Sequence, residues 1–476
     1  MMRILRRVIV ALVALFVART VDAAASRPNV ILILVDDMGW ADLSCFGNKE
    51  AQTPNLDRLA AEGIRFSQFY VAAPICSPSR CALVTGQYPQ RWKITSYLDN
   101  REVNRRRGVA DWLDVQAPSL ARMLQSAGYT TGHFGKWHLG GQRDVGDAPL
   151  ITEYGFDESL TNFEGLGPRL LGLADAHDGK PLKRHALGSD LLGRGPIIWY
   201  DRTQLTAGYV GAATAFLDSA AAAGKPCYLN IWPDDVHSPY YPPEERRGEG
   251  KRELYHGVLE TMDEQLGALF DHVRKSPKLR DNTLILFCSD NGHEPGAGSA
   301  GPLRGAKTTL YEGGVRSPLI VWAPGLVAPK VAGRHDAKSV FAAMDLVPSI
   351  MAVAGVPTPQ GVTFDGEDLS ATLLGRRAGS RTAPIFWRRP PDRKSWPAHG
   401  LGPQPDLAVR AGPWKLLCNY DGSEPELYHV ASDPGEQANV AAREPAEVER
   451  LTKLLLAWHR AMPADAGPAL AAESGK

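Results

Sequence analysis

Cysteine is scarce in this chain: the 476 residues include six cysteines, and no two of them form a CxxC pair. This scarcity excludes a disulfide-dense scaffold and a cysteine-based zinc cluster. An excess of charge of one sign is also lacking, because 53 Lys and Arg residues balance 53 Asp and Glu residues. A chain without net charge has no overall field that would draw it onto nucleic acid or anionic lipid, so an anionic ligand must be bound locally.

Apolar runs of membrane-spanning length are lacking as well. Three arginines among the first seven residues precede an apolar run over 8–18, and small residues follow at 23–25. This pattern predicts a signal peptide over residues 1–25 and hence an exported protein, periplasmic or secreted. The alternative is a membrane anchor, but the run is shorter than the ~20 residues that a spanning helix needs. We therefore expect no stable membrane insertion after signal cleavage.

The remaining chain is long enough for a large α/β domain and a smaller companion. Short apolar runs alternate with amphipathic stretches, which is typical of βα units on a mostly parallel sheet flanked by helices. The predicted strands are 29–35, 129–134, 227–232, 283–289 and 319–322. The predicted helices are 119–127, 206–223, 252–275 and one that begins after Thr53 and stops at Gly63.

Prolines become frequent after Gly355, and the remaining strand candidates are short. They lie at 383–387, 407–410 and 414–418, and an amphipathic helix follows at 445–462. The sequence therefore predicts a catalytic domain over 26–375 and a small C-terminal α+β subdomain over 376–476.

Acidic side chains follow two of the predicted strands directly. Asp36 and Asp37 come after the first strand, and Asp290 and Asn291 follow the strand that ends at Ser289. Ligands of open α/β sheets bind at the carboxyl ends of strands, and these oxygen donors suit Ca²⁺ or Mg²⁺ rather than zinc. Each pair taken alone would also fit a helix cap or a turn.

Cys76 precedes Ser77 and Pro78, which have the residue types of a helix N-cap and first helical position. Cys76 would then stand at a helix N-terminus, where free N–H groups favour an anion. By itself this position would also suit a redox-active thiol of low pKa.

Four further polar residues are candidates for one pocket. Lys136 and His138 lie two positions apart after a predicted strand, and His237 and Lys307 follow later in the chain. A lone histidine or lysine is commonly a solvated surface residue, so their significance depends on convergence.

Residues 76–86, CSPSRCALVTG, resemble the C-x-P-S-R-x-x-L-x-T-G signature of the type I sulfatases. Other blocks follow that family's order: VDDMGW at 35–40, GKWHLG at 135–140, SDNG at 289–292, YEGGVRSP at 311–318 and ELY at 426–428. The resemblance covers nearly the whole mature chain and is strongest to the arylsulfatase and N-acetylgalactosamine-6-sulfatase-like group. It implies an alkaline-phosphatase-like fold and a sulfuric ester hydrolase.

The resemblance also implies a modified nucleophile and a metal. A formylglycine-generating enzyme would oxidise Cys76 to formylglycine (3-oxoalanine), whose hydrate attacks sulfur, forms a covalent sulfo-enzyme and then expels sulfate. One Ca²⁺ per chain would be held by Asp36, Asp37, Asp290 and Asn291, together with residue 76.

Five side chains would complete the catalytic set. Arg80 would lie beside the modified residue, and Lys136 and Lys307 would neutralise the sulfate oxygens. His138 would be the base that releases sulfate, and His237 with Lys307 would donate a proton to the leaving oxygen.

The substrate implied by the resemblance is a sulfated sugar or oligosaccharide. The polar stretches 91–112 and 157–199 are expected to be loops that set substrate choice. Arg101, Arg105, Arg106 and Arg107 would meet a second sulfate or a uronate there, or be solvated. Asp234 and Asp235 would bind sugar hydroxyls or orient their loop.

Three other functions remain open from the sequence. An aryl sulfate hydrolase and a formylglycine-dependent phosphonate or phosphodiester hydrolase would use the same fold and nucleophile. A non-catalytic glycan-binding relative is disfavoured, because Cys76, Lys136 and His138 are all present.

Overall fold

The computed structural model describes residues 27–174, 183–327, 329–392 and 404–473. The predicted signal peptide at 1–25 lies outside the described residues. Within them, no helix combines the length and the hydrophobicity needed to cross a membrane.

Fifteen strands and eleven α-helices are found in the described ranges. The strands are β1 (Asn29–Val35), β2 (Ile64–Tyr70), β3 (Thr130–Gly135), β4 (Glu158–Thr161), β5 (Arg169–Ala174), β6 (Lys183–His185), β7 (Ile197–Asp201), β8 (Cys227–Trp232), β9 (Thr283–Ser289), β10 (Arg316–Trp322), β11 (Arg334–Ala342), β12 (Ile385–Arg388), β13 (Leu407–Ala411), β14 (Trp414–Cys418) and β15 (Glu426–His429). The helices are α1 (Pro54–Glu62), α2 (Cys76–Thr85), α3 (Arg101–Arg107), α4 (Leu120–Ser126), α5 (Leu205–Ala222), α6 (Lys251–Lys275), α7 (Glu312–Val315), α8 (Leu346–Val353), α9 (Ser370–Leu373), α10 (Pro445–Ala461) and α11 (Gly467–Glu473).

The main sheet has 11 strands in the order β11-β2-β10-β9-β1-β8-β3-β4-β5-β6, with β7 also paired to β5. Most neighbours are parallel; β10 is antiparallel to β2 and β9, and β6 is antiparallel to β5. The central strand β1 is buried along its whole length, as its continuous apolar run predicts. The predicted mostly parallel α/β sheet is confirmed.

The two faces of this sheet bury separate apolar cores, because successive side chains of a strand point to opposite sides. Ile31 and Ile33 pack on the face covered by α1, α5 and α6. Leu32 and Leu34 pack on the other face with residues of α2, α4 and α8. The central strands are thereby held rigidly between two helical layers.

The stretch 157–199 differs from its predicted loop character. It contains β4 to β7, which form one edge of the main sheet. These strands are short, and β6 and β7 are largely exposed, so they lack the apolar periodicity that identifies a strand. The polar edge strand β11 escaped prediction for the same reason.

The C-terminal region forms a four-stranded antiparallel sheet, β12-β13-β14-β15, with α10 packed on it. The predicted strands and helix of this region are confirmed to within about two residues. Its apolar side chains, including Ile385, Leu416 and Leu451, belong to the same core as the α2 face of the main sheet. The boundary at 375 stays a prediction.

A buried ion cluster also joins the two sheets. Lys415 on β14 lies 3.0 Å from a carboxylate oxygen of Glu312 and 3.0 Å from one of Glu436, and all three side chains are inaccessible. Glu312, the first residue of α7, also accepts a hydrogen bond from the Tyr70 hydroxyl at 2.7 Å. Burial opposes ionisation of Glu312, but Lys415 and Arg316 prevail and lower its pKa to about 2.

Replacing Lys415 with methionine should lower the free energy of unfolding by about 3–5 kcal/mol, because two buried carboxylates would lose their shared cation. Denaturant unfolding would measure the change. Lys453, exposed on α10, provides a matched control, since K453M should change stability by less than about 0.5 kcal/mol. Equal stability of K415M and the parent protein would show that the cluster contributes little.

Candidate active site

Four neighbouring parallel strands bring the predicted site residues to one edge of the main sheet. The order β9-β1-β8-β3 places the carboxyl ends of these strands side by side. Asp290, Asp36, His237 and Lys136 lie in the segments that leave those ends. The clusters that are far apart in sequence therefore meet where ligands bind in open α/β sheets.

Cys76 is the first residue of α2, which therefore begins two residues earlier than predicted. Ile75 is the N-cap, and the Ser77 hydroxyl accepts a hydrogen bond from the Leu98 amide at 3.0 Å instead of capping the helix. The Cys76 side chain is 2% exposed. Burial and Asp36 raise the pKa of its thiol well above the usual value, which favours the protonated thiol over a redox-active thiolate.

The acidic residues form a compact oxygen-rich cluster. Carboxylate oxygens of Asp36, Asp37 and Asp290 lie within 4.8 Å of one another, and all three side chains are buried. Asn291 joins them by donating a hydrogen bond to Asp37 at 2.8 Å. One oxygen of Asp36 and the amide oxygen of Asn291 are buried without a hydrogen-bond partner in the described part of the chain. Such oxygens fit the hard-donor site that a calcium ion requires.

Three buried cations neutralise the three carboxylates. Lys136 lies 2.7 Å from Asp36, and Lys307 lies 2.5 Å from Asp37. The Arg80 guanidinium donates to one oxygen of Asp290 at 3.1 and 2.8 Å. Burial, and after it Asp36, raise the pKa of Asp290, whereas Arg80 lowers it, so the ionised form of this carboxylate depends on its paired guanidinium.

Hydrogen bonds to carbonyl oxygens define the tautomers of both histidines. His138 Nε2 lies 2.9 Å from the Leu98 carbonyl and donates to it, which leaves a lone pair on Nδ1. His237 Nδ1 lies 2.6 Å from the Ser238 carbonyl, while its Nε2 lies 3.6 Å from Asp37. Burial lowers the pKa of both imidazoles, which favours the neutral form of each.

Asp37 and His138 both have left-handed backbone conformations, with φ of 61° and 55°. This region is unfavourable for residues other than glycine, and it recurs at functional sites where the surrounding structure enforces it. Hydrogen bonds hold both backbones here: the Asp37 amide donates to Asp290, and the His138 amide donates to the Glu164 carbonyl at 2.7 Å.

Asp234 and Asp235 orient the His237 loop. Arg202 lies 3.4 Å from Asp234 and 3.0 Å from Asp235, and the Thr206 hydroxyl donates to Asp235 at 2.6 Å. Neither carboxylate lines the cavity described below. The structure therefore favours a role of Asp234 and Asp235 in orienting the loop over the alternative role of binding sugar hydroxyls.

A cavity of about 580 Å³ opens above the cluster. Cys76, Lys136, His138, His237 and Lys307 all line it, whereas Asp36, Asp37, Arg80, Asp290 and Asn291 lie beneath them. The structure thus brings every predicted site residue into one place.

The sequence did not single out the other titratable and aromatic lining residues: Tyr97, Arg143, Phe163, Glu164, His185 and Glu294. Tyr97 nevertheless lies in the stretch 91–112, and Phe163, Glu164 and His185 lie in 157–199, the two stretches expected to set substrate choice. Glu294 lies four positions after Asp290, a proximity that could have identified it. The arginines of 101–107 do not line the cavity: Arg101 pairs with Asp111 at 3.1 Å, and Arg105 pairs with Glu102 at 2.7 Å.

Comparison with known proteins agrees with this geometry. Residues 28–356 match the Sulfatase family. Arylsulfatase A of Bos taurus is 33% identical over 465 residues, which cover 88% of this chain and 84% of the relative. N-acetylgalactosamine-6-sulfatase of Canis lupus familiaris is 34% identical over 392 residues, covering 77% of this chain and 69% of the relative.

A solved structure, that of Ps i-CgsB in complex with k-i-k-neocarrahexaose, is similar along almost its full length. It aligns with a TM-score of 0.74 and 27% identity, and covers 91% of this chain and 92% of its own. The predicted alkaline-phosphatase-like fold is thereby confirmed. Since the family match spans the main sheet and every residue of the cluster, the chain belongs to the sulfatase family of sulfuric ester hydrolases.

Proposed function

We propose that this enzyme removes sulfate from a sulfated sugar or oligosaccharide, using formylglycine at position 76 and one Ca²⁺. The observation that carries this proposal is the position of Cys76: its sulfur and ligand atoms of Asp36 and His237 lie within 4.8 Å of one another. A nucleophile made from residue 76 would therefore stand directly beside the oxygen cluster and inside the cavity.

The oxygen donors support the choice of calcium. Asp36, Asp37, Asp290 and Asn291 would hold the ion, and their two unpartnered oxygens are available to it. A bound cation would polarise the sulfate group and stabilise charge as the S–O bond breaks.

The burial of Cys76 has a consequence for its oxidation. A formylglycine at this position would supply a hydrated aldehyde, whose hydroxyl can attack sulfur. Because the Cys76 side chain is 2% exposed, a formylglycine-generating enzyme would have to reach it before the chain folds.

The surrounding side chains divide the remaining work. Lys136 and Lys307, which line the cavity, would neutralise sulfate oxygens, and Arg80 would hold Asp290 in position through its hydrogen bonds. His138, with its Nδ1 lone pair free, is the base that would accept a proton when sulfate departs.

We expect His237 to protonate the departing oxygen through Nε2, which faces the cluster, while its Nδ1–H stays bonded to the Ser238 carbonyl. This role requires the imidazolium form, which burial opposes and the neighbouring Asp37 and Asp36 favour. H237A should reduce kcat on a sugar sulfate by about 10²–10⁴-fold, but turnover of 4-nitrophenyl sulfate much less, since a nitrophenolate leaves without protonation. Steady-state rates on the two esters measure the difference. H185A, in the same cavity, serves as the control, and equal losses on both esters in H237A would contradict an acid role.

A sugar is favoured as substrate because this family includes the carbohydrate sulfatase found among the relatives. The rival functions differ in the ester cleaved. Assays with 4-nitrophenyl sulfate, 4-nitrophenyl phosphate and a phenylphosphonate ester would separate them, and preference for a phosphorus ester would overturn the proposal.

We also infer export, from the signal-peptide pattern at 1–25. The intact mass of protein recovered from the native host would show cleavage near residue 25. The mass of the peptide that contains Cys76 would report its oxidation in the same experiment.

A further inference from the structure

Two carboxylates line the cavity in addition to the catalytic set. Glu164 is 4% exposed, and its Oε2 has no hydrogen-bond partner among the described residues. His138 Nε2 lies 3.3 Å from this oxygen but is already donating to the Leu98 carbonyl. Glu294 also lines the cavity and is 23% exposed at its side chain. A buried carboxylate oxygen without a donor is costly, so a ligand that supplies a donor would be favoured there.

The other charged groups of the cavity do not reverse this acidic character. Arg143 is held 2.9 Å from Asp99, and Glu294 pairs with Lys251 at 3.2 Å. Burial lowers the pKa of His185, which favours its neutral form. Tyr97, Phe163 and Leu187 supply aromatic and aliphatic surface. Apart from Lys136 and Lys307, the only lysine or arginine in the described lining is Arg143, and its charge is balanced by Asp99.

We infer that the leaving group of the substrate is uncharged: a sugar that offers a hydroxyl or amide N–H to Glu164 and carries no second anionic group beside the scissile ester. This inference rests on the proposed sulfatase function. A hydroxyl would satisfy the unpartnered oxygen of Glu164, whereas a second sulfate or a uronate carboxylate has no donor to offer it and would place further anionic oxygens beside Glu164 and Glu294. The two glutamates would thus be specificity-determining residues.

A pair of aryl esters that differ in one charge tests this inference even while the sugar is unidentified. The probes are 5-(sulfooxy)-2-nitrobenzoate and its primary carboxamide, each normalised to its own acid-catalysed hydrolysis rate. We expect kcat/KM to favour the carboxamide by about tenfold or more, which corresponds to about 1.4 kcal/mol. A ratio near one, or a preference for the carboxylate, would overturn the inference.

Variants that remove the charge of Glu164 or Glu294 test whether these side chains cause the preference for the carboxamide over the carboxylate. E294Q and E164Q should each move the ratio toward one by several-fold, and E294Q tests this at a partly exposed position where folding is not at risk. E244Q, an exposed glutamate outside the cavity, should leave the ratio unchanged. Ratios that stay at the parent value in both cavity variants would show that the glutamates do not select the substrate.

Assays with two sulfated sugars separate this inference from the proposed sulfatase function on which it rests. N-acetylgalactosamine 6-sulfate should be cleaved more efficiently than the 4,6-disulfate. If enzyme with oxidised residue 76 cleaves both equally well, the specificity inference fails while the sulfatase function stands. If it cleaves none of the sulfate esters, including 4-nitrophenyl sulfate, both proposals fail together.

Discussion

Replacing Cys76 with alanine should reduce sulfate ester hydrolysis by on the order of 10⁴-fold or more while leaving the protein folded. The expected loss is large because Cys76 is the cavity residue from which the proposed nucleophile is made, and alanine offers no oxygen to attack sulfur. The fold should survive, since the substitution removes one sulfur atom at the first position of α2 and no hydrogen bond of the helix. Turnover of 4-nitrophenyl sulfate, with circular dichroism to verify folding, would measure both effects.

Cys81 is the matched control for this experiment. It lies on the same helix and is fully buried, but it faces the apolar core instead of the cavity. C81A should therefore lower stability somewhat and leave the rate per folded molecule close to that of the parent. Retention of ester cleavage in C76A would disprove the proposed nucleophile.

Removing the calcium ion proposed for this site should reduce activity by about 100-fold or more, and adding calcium back should restore it. The reason is a charge balance: Asp36, Asp37 and Asp290 are matched by Arg80, Lys136 and Lys307, so these six buried side chains together carry no net charge. A divalent cation among them would make the site positive and thereby attractive to a sulfate ester.

Chelation followed by activity assays would test this expectation. Calcium should also raise the thermal midpoint, because binding to the folded state alone contributes about 4 kcal/mol when free calcium is ~1,000 times its Kd. Restoration by magnesium at equal concentration would argue for an octahedral site of different geometry. Full activity after exhaustive chelation would contradict the metal assignment.

The acidic cluster of the site was predictable from the sequence because its carboxylates follow directly after buried strands. Strand β1 is an unbroken apolar run, and β9 is nearly one, so the positions of Asp36 and Asp290 just beyond them followed from pattern alone. Parallel pairing then required these ends to share an edge. The roles of individual histidines and lysines came from the family resemblance, and they stay proposals.

The features that escaped prediction depend on contacts between distant segments. Arg202 precedes Asp234 by 32 positions, and only the fold shows that it neutralises that carboxylate. Glu164 lies in the connection between the short strands β4 and β5, neither of which was predicted, so its place beside His138 could not be inferred. Substrate-selecting residues of this kind lie on irregular segments whose path is decided by tertiary packing.

The cluster of Glu312, Lys415 and Glu436 bears on whether the catalytic region can exist alone. Glu312 lies five residues after Lys307. The backbone amide of Glu312 donates a hydrogen bond to the Glu436 carboxylate at 2.7 Å. A fragment that ended near residue 375 would leave Glu312 facing the interior without Lys415 and would expose the apolar face shared with β13 and β14. Such a truncated chain should be insoluble, and the intact enzyme should melt in a single calorimetric transition.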